Sequence, residues 1–247
     1  MKRDYDVEHK DNESRQYQYQ VDLLVRKMFL SRIQKHIKER SLGKVLEVGS
    51  YDGSMTELIL EHVDHMEVIE PSLELTKKVS AKFGNRVTIS NTTLEQFNPQ
   101  TKYSLVFLIH TLEHIDDSLG ALMKLRELLD KDGLLIVMVP NAEALSRQIA
   151  VEMGLMSSIY DVLESEKSQG HIRNYDMQSL SSEIKEAGMH CLESGGVLLK
   201  TLANFQFDRA LEAGIVSLEY LDACNILALR FPSLCSSIYA LAENIKN

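Results

Sequence analysis

Side chains able to do chemistry gather at three places in this 247-residue chain. The first is Glu47-Val-Gly49-Ser50-Tyr-Asp-Gly53, with Glu70 lying 23 residues after Glu47. Two glycines four apart permit a sharp turn and a close backbone approach by a ligand. An acid at that distance can accept hydrogen bonds from both hydroxyls of a ribose. The pattern E-x-G-x-x-x-G is not the dinucleotide fingerprint G-x-G-x-x-G. A looser loop with an acid on the following strand suits a nucleoside with a charged amino-acid arm better than a pyrophosphate. The second place is His110-Thr-Leu-Glu113-His114-Ile-Asp116-Asp117, and the third is Gly170-His171-Ile-Arg173-Asn-Tyr175. Histidine changes charge near neutral pH and is the commonest general base, so His110, His114 and His171 are the candidates. His9, His36, His62, His65 and His190 fall in the polar N-terminus, on helix surfaces and turns, or beside a late strand.

The hydrophobic pattern supplies the elements that must hold these residues. Val21, Leu24, Val25, Met28, Phe29, Ile33 and Ile37 recur at helical spacing and predict one amphipathic helix from residue 20 to about 41–43. Residues 44–49 are a short apolar run ending in glycine, a buried strand. Ser54-Met-Thr-Glu57 has capping-box spacing and opens a helix with Met55, Leu58, Ile59 and Val63 inward. Strands follow at 66–70, 87–90, 103–109 and 134–139. Helices lie between them at 71–83 and at 118–130, the latter with Leu119, Leu122, Met123 and Leu129 inward and a stop at Asp132-Gly133. Strands alternating with helices mean βαβ units and a mostly parallel sheet. Their continuous apolar runs fit a sheet covered on both faces. Residues 142–153, 179–187, 199–211 and 215–230 read as helices, and 188–193 and 236–242 as late strands. In such a sheet ligands bind beyond the carboxyl ends of the strands, at the switch point. The first two clusters follow strands directly, and the third lies in a polar segment after a helical arm, where an acceptor lid would lie.

Composition narrows the classes. A hydrophobic content of 44% builds a sizeable core and excludes disorder as the main state. Lys and Arg total 27 against 36 Asp and Glu, a net charge of −9, which argues against a nucleic-acid partner. Cys191, Cys224 and Cys235 form neither a metal motif nor a disulfide framework and suit a reducing compartment. No apolar run reaches the roughly 20 residues of a membrane span, and the polar start lacks an apolar signal region. A cytoplasmic location without membrane contact is expected.

Val-Leu-Glu-Val-Gly-Ser-Tyr-Asp-Gly, then Val-Ile-Glu-Pro, then Thr-Leu-Glu-Gln-Phe, then His-Thr-Leu-Glu-His-Ile-Asp-Asp, stand in this order at strand ends. Together they resemble a class I S-adenosylmethionine-dependent methyltransferase, most clearly over residues 43–140. Residues 140–155 and 170–176 resemble a bacterial branch of these enzymes thought to act on small molecules. The resemblance implies a Rossmann-like, doubly wound α/β fold. Its seven-stranded sheet is mostly parallel with an antiparallel last strand, and carries a helical cap. It implies an N-terminal lid and helix over 1–42 and a methyltransferase domain over 43–247. Within that domain, 43–140 would be the cofactor half, and 141–247 the acceptor side with a helical insertion.

The resemblance also implies roles. S-adenosyl-L-methionine is the expected cofactor. Glu47, Gly49, Ser50 and Gly53 would shape its methionine and ribose end, and Glu70 with Pro71 would hold the ribose. Thr93, Leu94 and Glu95 would surround the adenine, the Leu94 amide donating to the ring; many relatives have Asp where Thr93 stands. His110 would face the methionine arm. Asn141, Arg147, Arg173 and Tyr175 would meet an acceptor, and Tyr17 and Tyr19 would belong to a lid over residues 10–20. Glu113, His114, Asp116 and Asp117 can be read as a cation site, but solvated acids and helix caps are the commoner explanation, and no metal is expected. The expected activity is O- or N-methylation of a polar small molecule such as a sugar or natural-product intermediate, by a possible homodimer. Methylation of protein or RNA, and a non-catalytic interaction protein of the same fold, are the alternatives.

Overall fold

The computed structural model describes residues 5–6, 20–40 and 43–245. Tyr17 and Tyr19, and with them the expected lid, lie outside the described residues. Helix α1 (Gln20–Arg40) leads into β1 (Val45–Val48), α2 (Ser54–Ile59), β2 (Met66–Ile69), α3 (Leu73–Phe83), β3 (Val87–Ser90) and β4 (Tyr103–Ile109). Then come α4 (Ser118–Leu128), β5 (Leu129–Pro140), α5 (Leu145–Glu152), α6 (Glu164–Lys167) and α7 (Met177–Glu186). The chain closes with β6 (Met189–Val197), α8 (Asn204–Glu212), α9 (Leu218–Leu227) and β7 (Ser237–Asn244). One seven-stranded sheet has the order β3-β2-β1-β4-β5-β7-β6. Pairings among β1–β5 are parallel, and β7 runs antiparallel to both β5 and β6. The strand order reverses between β1 and β4, which opens a crevice beyond their carboxyl ends.

The apolar runs of the central strands serve two cores because successive side chains point to opposite faces. Leu105, Phe107 and Ile109 of β4, with Leu134, Ile136 and Met138 of β5, join α1 and α2 on one face. Val106 and Leu108, with Leu135, Val137 and Val139, join α4 and α7 on the other. Helix α1 buries Val21, Val25, Phe29, Leu30, Ile33 and Ile37, so it is a wall of the first core. Its first amides, on Gln20 and Val21, donate to the Asp208 carboxylate of α8 at 2.7 and 3.0 Å.

Three local expectations are corrected. Ser54 is not the cap of α2. Gly53 caps it at φ 77° with no side-chain bond, and the Ser54 amide instead donates to Asp52 Oδ1 at 3.0 Å. Helix α4 ends at Leu128, short of Asp132-Gly133, because Leu129 is already paired with Tyr103 ahead of a register shift in β5. Met123 is 42% exposed, and α4 instead buries Ala121, Leu122, Leu125 and Leu128.

Candidate functional site

A single cleft of about 910 Å³ runs from the glycine loop after β1, across the loop after β4, to the segment that follows α5. That is at the upper end of the range for small-ligand pockets. Its cofactor end is built by backbone demands. Gly49 has φ 78°, and a Cβ there would lie 2.7 Å from Thr111 Oγ1, so only glycine fits. Thr111 is fixed beneath it, donating to the Val48 carbonyl at 3.0 Å. Glu70 pins the loop: Oε2 accepts from the Ser50 and Tyr51 amides at 3.1 and 3.0 Å, and Oε1 accepts from the Ser72 amide at 3.0 Å. The Ser50 hydroxyl is a further, longer contact to Oε2 at 3.5 Å, so the acceptor position that remains is on Oε1, which takes the Ser72 amide alone. Tyr51 (φ 49°) and His110 (φ 50°) both hold the left-handed conformation, uncommon for non-glycine residues and concentrated at functional sites.

The predicted cofactor residues divide in two. Gly49, Ser50, Glu70, Pro71, Thr93, Leu94, Glu95 and His110 line the cleft. Leu94 opens a single turn of 3-10 helix, whose first N–H has no partner within the turn. Glu47 and Gly53 stand behind the loop. Glu47 is 1% exposed, accepts from Thr56 Oγ1 at 2.6 Å, and leaves Oε1 buried without a hydrogen bond. Burial drives its carboxyl up to about 8, against the Thr56 bond and the Arg26 charge. Gly53 lies under the Phe83 ring, 2.8 Å from where a Cβ would be.

At the far end His110, His114 and His171 converge on Glu113. That carboxylate is 1% exposed. His110 Nδ1 is 3.5 Å and His114 Nε2 4.0 Å from Glu113 Oε1, and the His114 and His171 rings meet edge to face at 4.6 Å. The 3.5 Å contact is longer than a well-formed hydrogen bond. Burial alone would raise the Glu113 carboxyl; the His110 contact and the charges of the three rings outweigh it and hold it at about 2. Burial pulls the His171 ring below its ordinary value, opposed by Glu113 and Glu166. Glu113 was legible only as one acid of a loop. Its burial comes from residues 163–172 folding over it, fastened by the Ile172 amide donating to the Glu113 carbonyl at 3.1 Å.

Of the polar residues expected to face an acceptor, Asn141 and Arg147 line the cleft and also hold the chain, while Arg173 and Tyr175 lie elsewhere. Asn141 is 2% exposed, and its Nδ2 donates to the Ser233 and Cys235 carbonyls, both at 2.7 Å, while Oδ1 accepts from the Glu143 amide. Arg147 lines the cleft but is committed to the Ile159 and Asp161 carbonyls and to Glu166. Arg173 and Tyr175 do not line the cleft. Arg173 donates to Ser118 and to the Asp116 carbonyl, and Tyr175 is buried in the core beside α7. Residues that sequence reasoning missed take part of this wall. Asp22 of α1 accepts from Asn204 at 2.7 Å, and Lys200 donates to the Leu202 carbonyl at 2.8 Å. Burial lowers the Lys200 amine to about 8, with Asp22 and Asp208 opposing. No motif marks either residue, and their placement depends on α1 meeting the end of β6.

The Arg147 clamp has a measurable consequence. Charge-assisted bonds contribute about 1.5–3 kcal/mol each. Arg147→Ala is therefore expected to speed tryptic cleavage at Lys167 by about tenfold or more while the global unfolding midpoint in urea moves little. Unchanged cleavage would show that the segment is held by other contacts.

A family model described as a methyltransferase domain matches residues 14–194. No curated protein sequence matches the chain. Solved structures with the same fold include an S-adenosylmethionine-dependent methyltransferase from Clostridium acetobutylicum ATCC 824, with a TM-score of 0.57 and 11% identity over 90% of this chain and 91% of that one. The CcbJ methyltransferase from Streptomyces caelestis has a TM-score of 0.59 and 15% identity over 86% and 88%. The N-methyltransferase NodS from Bradyrhizobium japonicum WM9, in complex with S-adenosyl-L-homocysteine, has a TM-score of 0.53 and 13% identity over 89% and 88%. Among the described residues no helix is long and apolar enough to cross a membrane. With its sheet order, its glycine loop and a family match over most of its length, the chain belongs to the class I S-adenosylmethionine-dependent methyltransferases, with S-adenosyl-L-methionine as cofactor.

Proposed function

We propose that the protein methylates an oxygen or nitrogen of a polar small molecule in the cytoplasm. The observation that carries this reading is the continuity of the cleft: the glycine loop and Glu70 at one end and the Glu113 histidine cluster at the other share one cavity. The residues fit the cofactor, since the loop leaves no room for a Cβ at Gly49 and Glu70 keeps an acceptor position beside it. Bound there, the cofactor supplies an electrophilic methyl group on a sulfonium. What remains for the chain is to hold the acceptor in line, exclude water and take its proton. We assign the proton to His110, which lines the same cleft as the glycine loop and has Glu113 Oε1 3.5 Å from Nδ1, leaving the other ring nitrogen to accept. The cleft has the volume of a small-ligand pocket, about 910 Å³, with Leu163, Ser165, Glu166, Gln169 and His171 in its wall, which favours a small acceptor over a protein or RNA chain.

The test is a metabolite screen against purified protein with isotopically labelled cofactor, read as a mass shift, with protein and RNA fractions in parallel. The expected result is label in a small molecule, with His110→Ala lowering kcat/KM for it by about 10²–10⁴-fold. Label in protein or RNA alone would refute the small-molecule reading. An unaltered rate in His110→Ala would remove that histidine from the mechanism.

A further inference from the structure

The Glu113 cluster holds more than a base needs. One buried carboxylate faces ring nitrogens from three histidines, yet neither carboxylate oxygen makes a well-formed hydrogen bond, and His171 Nδ1 is buried without one as well. A buried polar atom left unpaired costs about 1–3 kcal/mol, and three such atoms within one cluster call for an occupant that pairs with all of them. A water or an acceptor hydroxyl would serve one or two. The donor set, one carboxylate and two imidazoles, is that of a transition-metal site with open positions.

We propose that Glu113, His114 and His171 bind a divalent transition-metal ion of the zinc, manganese or iron(II) kind, and that this ion holds the hydroxyl of the methyl acceptor. The ligand atoms of the three residues already lie within 4.8 Å of one another. Ligands of a four-coordinate ion at bond lengths of roughly 2.0–2.2 Å stand about 3.3–3.6 Å apart, so side-chain rotations that close the widest pair by about an ångström complete the set. The backbone enforces the arrangement. Glu113 and His114 share one turn after β4, and the bond from the Ile172 amide to the Glu113 carbonyl brings the neighbouring His171 to it across 58 residues of chain. Imidazole donors favour transition ions over magnesium or calcium, which prefer oxygen.

All three residues line the cleft, as does His110, so the remaining positions of a three-ligand site open towards the acceptor. That deepens the proposed function and rests on it. It narrows the acceptor to an oxygen nucleophile, a hydroxyl or a pair of adjacent hydroxyls able to reach the ion, and makes O-methylation the activity. It also departs from the sequence reading, in which Glu113, His114, Asp116 and Asp117 formed a loop of solvated acids and helix caps without a metal, and His171 was a candidate base. Asp117 caps α4 by accepting from the Gly120 amide at 2.9 Å, and the ligand group comprises Glu113, His114 and His171 without Asp116.

The test titrates chelator-stripped full-length protein with Co²⁺, read by visible absorption, and with Zn²⁺, read by calorimetry, with a separate cofactor titration on the same samples. The expected result is one equivalent of either ion, with a Co²⁺ spectrum of low coordination number. His114→Ala and His171→Ala should each weaken binding by more than about 100-fold, beyond the loss of an outer-sphere partner, while cofactor affinity stays within about threefold. Glu113→Gln should do the same; should it fail to fold, the two partly exposed histidines carry the test. Absence of saturable binding, or binding that both histidine variants leave unchanged, overturns the proposal. Metal binding without cofactor binding would overturn the methyltransferase reading alone, and cofactor binding without metal binding would overturn only the metal site.

Discussion

Glu70→Ala is expected to abolish measurable cofactor binding and to lower folding stability by about 3 kcal/mol or more, since each buried donor left without its acceptor costs about 1–3 kcal/mol. The reason lies in three amides. Ser50, Tyr51 and Ser72 all donate to this carboxylate, and the first two belong to the glycine loop. Without it, Tyr51 loses the acceptor that offsets its left-handed backbone, and the loop is free to leave the shape that meets the cofactor. Because each 1.4 kcal/mol is a factor of ten, loss of even one such bond from the bound state weakens binding by about tenfold, and loss of the set by more than about 100-fold. Glu70→Gln should fall between, since an amide keeps one acceptor oxygen but turns its NH₂ towards an N–H donor. Calorimetric cofactor titrations and urea unfolding of both variants check this. Near-native affinity in Glu70→Ala would show that neither the loop shape nor the ribose depends on it.

The second large effect is a pH dependence of stability centred on Glu47. Its folded pKa of about 8 lies above the unfolded value near 4.3. Between these two values the folded protein retains a proton that the unfolded chain has released, so unfolding releases a proton and stability falls as pH rises. The slope has an upper bound of about 1.4 kcal/mol per pH unit, accumulates to a few kcal/mol, and is complete above about pH 8. Glu47→Gln keeps an acceptor for the Thr56 hydroxyl and cannot ionise. The variant should match or trail the native protein near pH 5 and exceed it in stability by a few kcal/mol near pH 9. Urea midpoints at both pH values decide the matter; parallel profiles would mean that Glu47 is ionised in the folded state.

The two groups of prediction differ in how visible their residues were beforehand. Gly49 and Glu70 could be read directly because a close backbone approach and a strand-end acid are short-range demands, met within 23 residues of sequence. The β4 and β5 runs were legible for a similar reason: a strand buried on both faces is apolar at every position. Polar residues near a cleft are harder. Asn141 and Arg147 have the composition of ligand-binding residues, but their acceptors are the carbonyls of Ser233, Cys235, Ile159 and Asp161. Which carbonyls need a donor is settled only by the fold. Tyr175 follows the same rule, its ring filling the core beside α7. Met123 was placed inward by helical spacing alone, and the rotation of α4 on the sheet decided otherwise. Glu113 is the reverse case, an acid of ordinary appearance made exceptional by a segment more than fifty residues away.

The bond between Asp208 and the first amides of α1 has a bearing on how such an enzyme can diversify. A helix near the start of the chain is capped by a helix from the insertion between β6 and β7, and Asp22 and Asn204 repeat the link one turn on. The walls that select an acceptor therefore descend as a pair. A new specificity grafted through the insertion alone would arrive without the receiving half of its seam, so exchange between relatives should succeed only when α1 and α8 travel together.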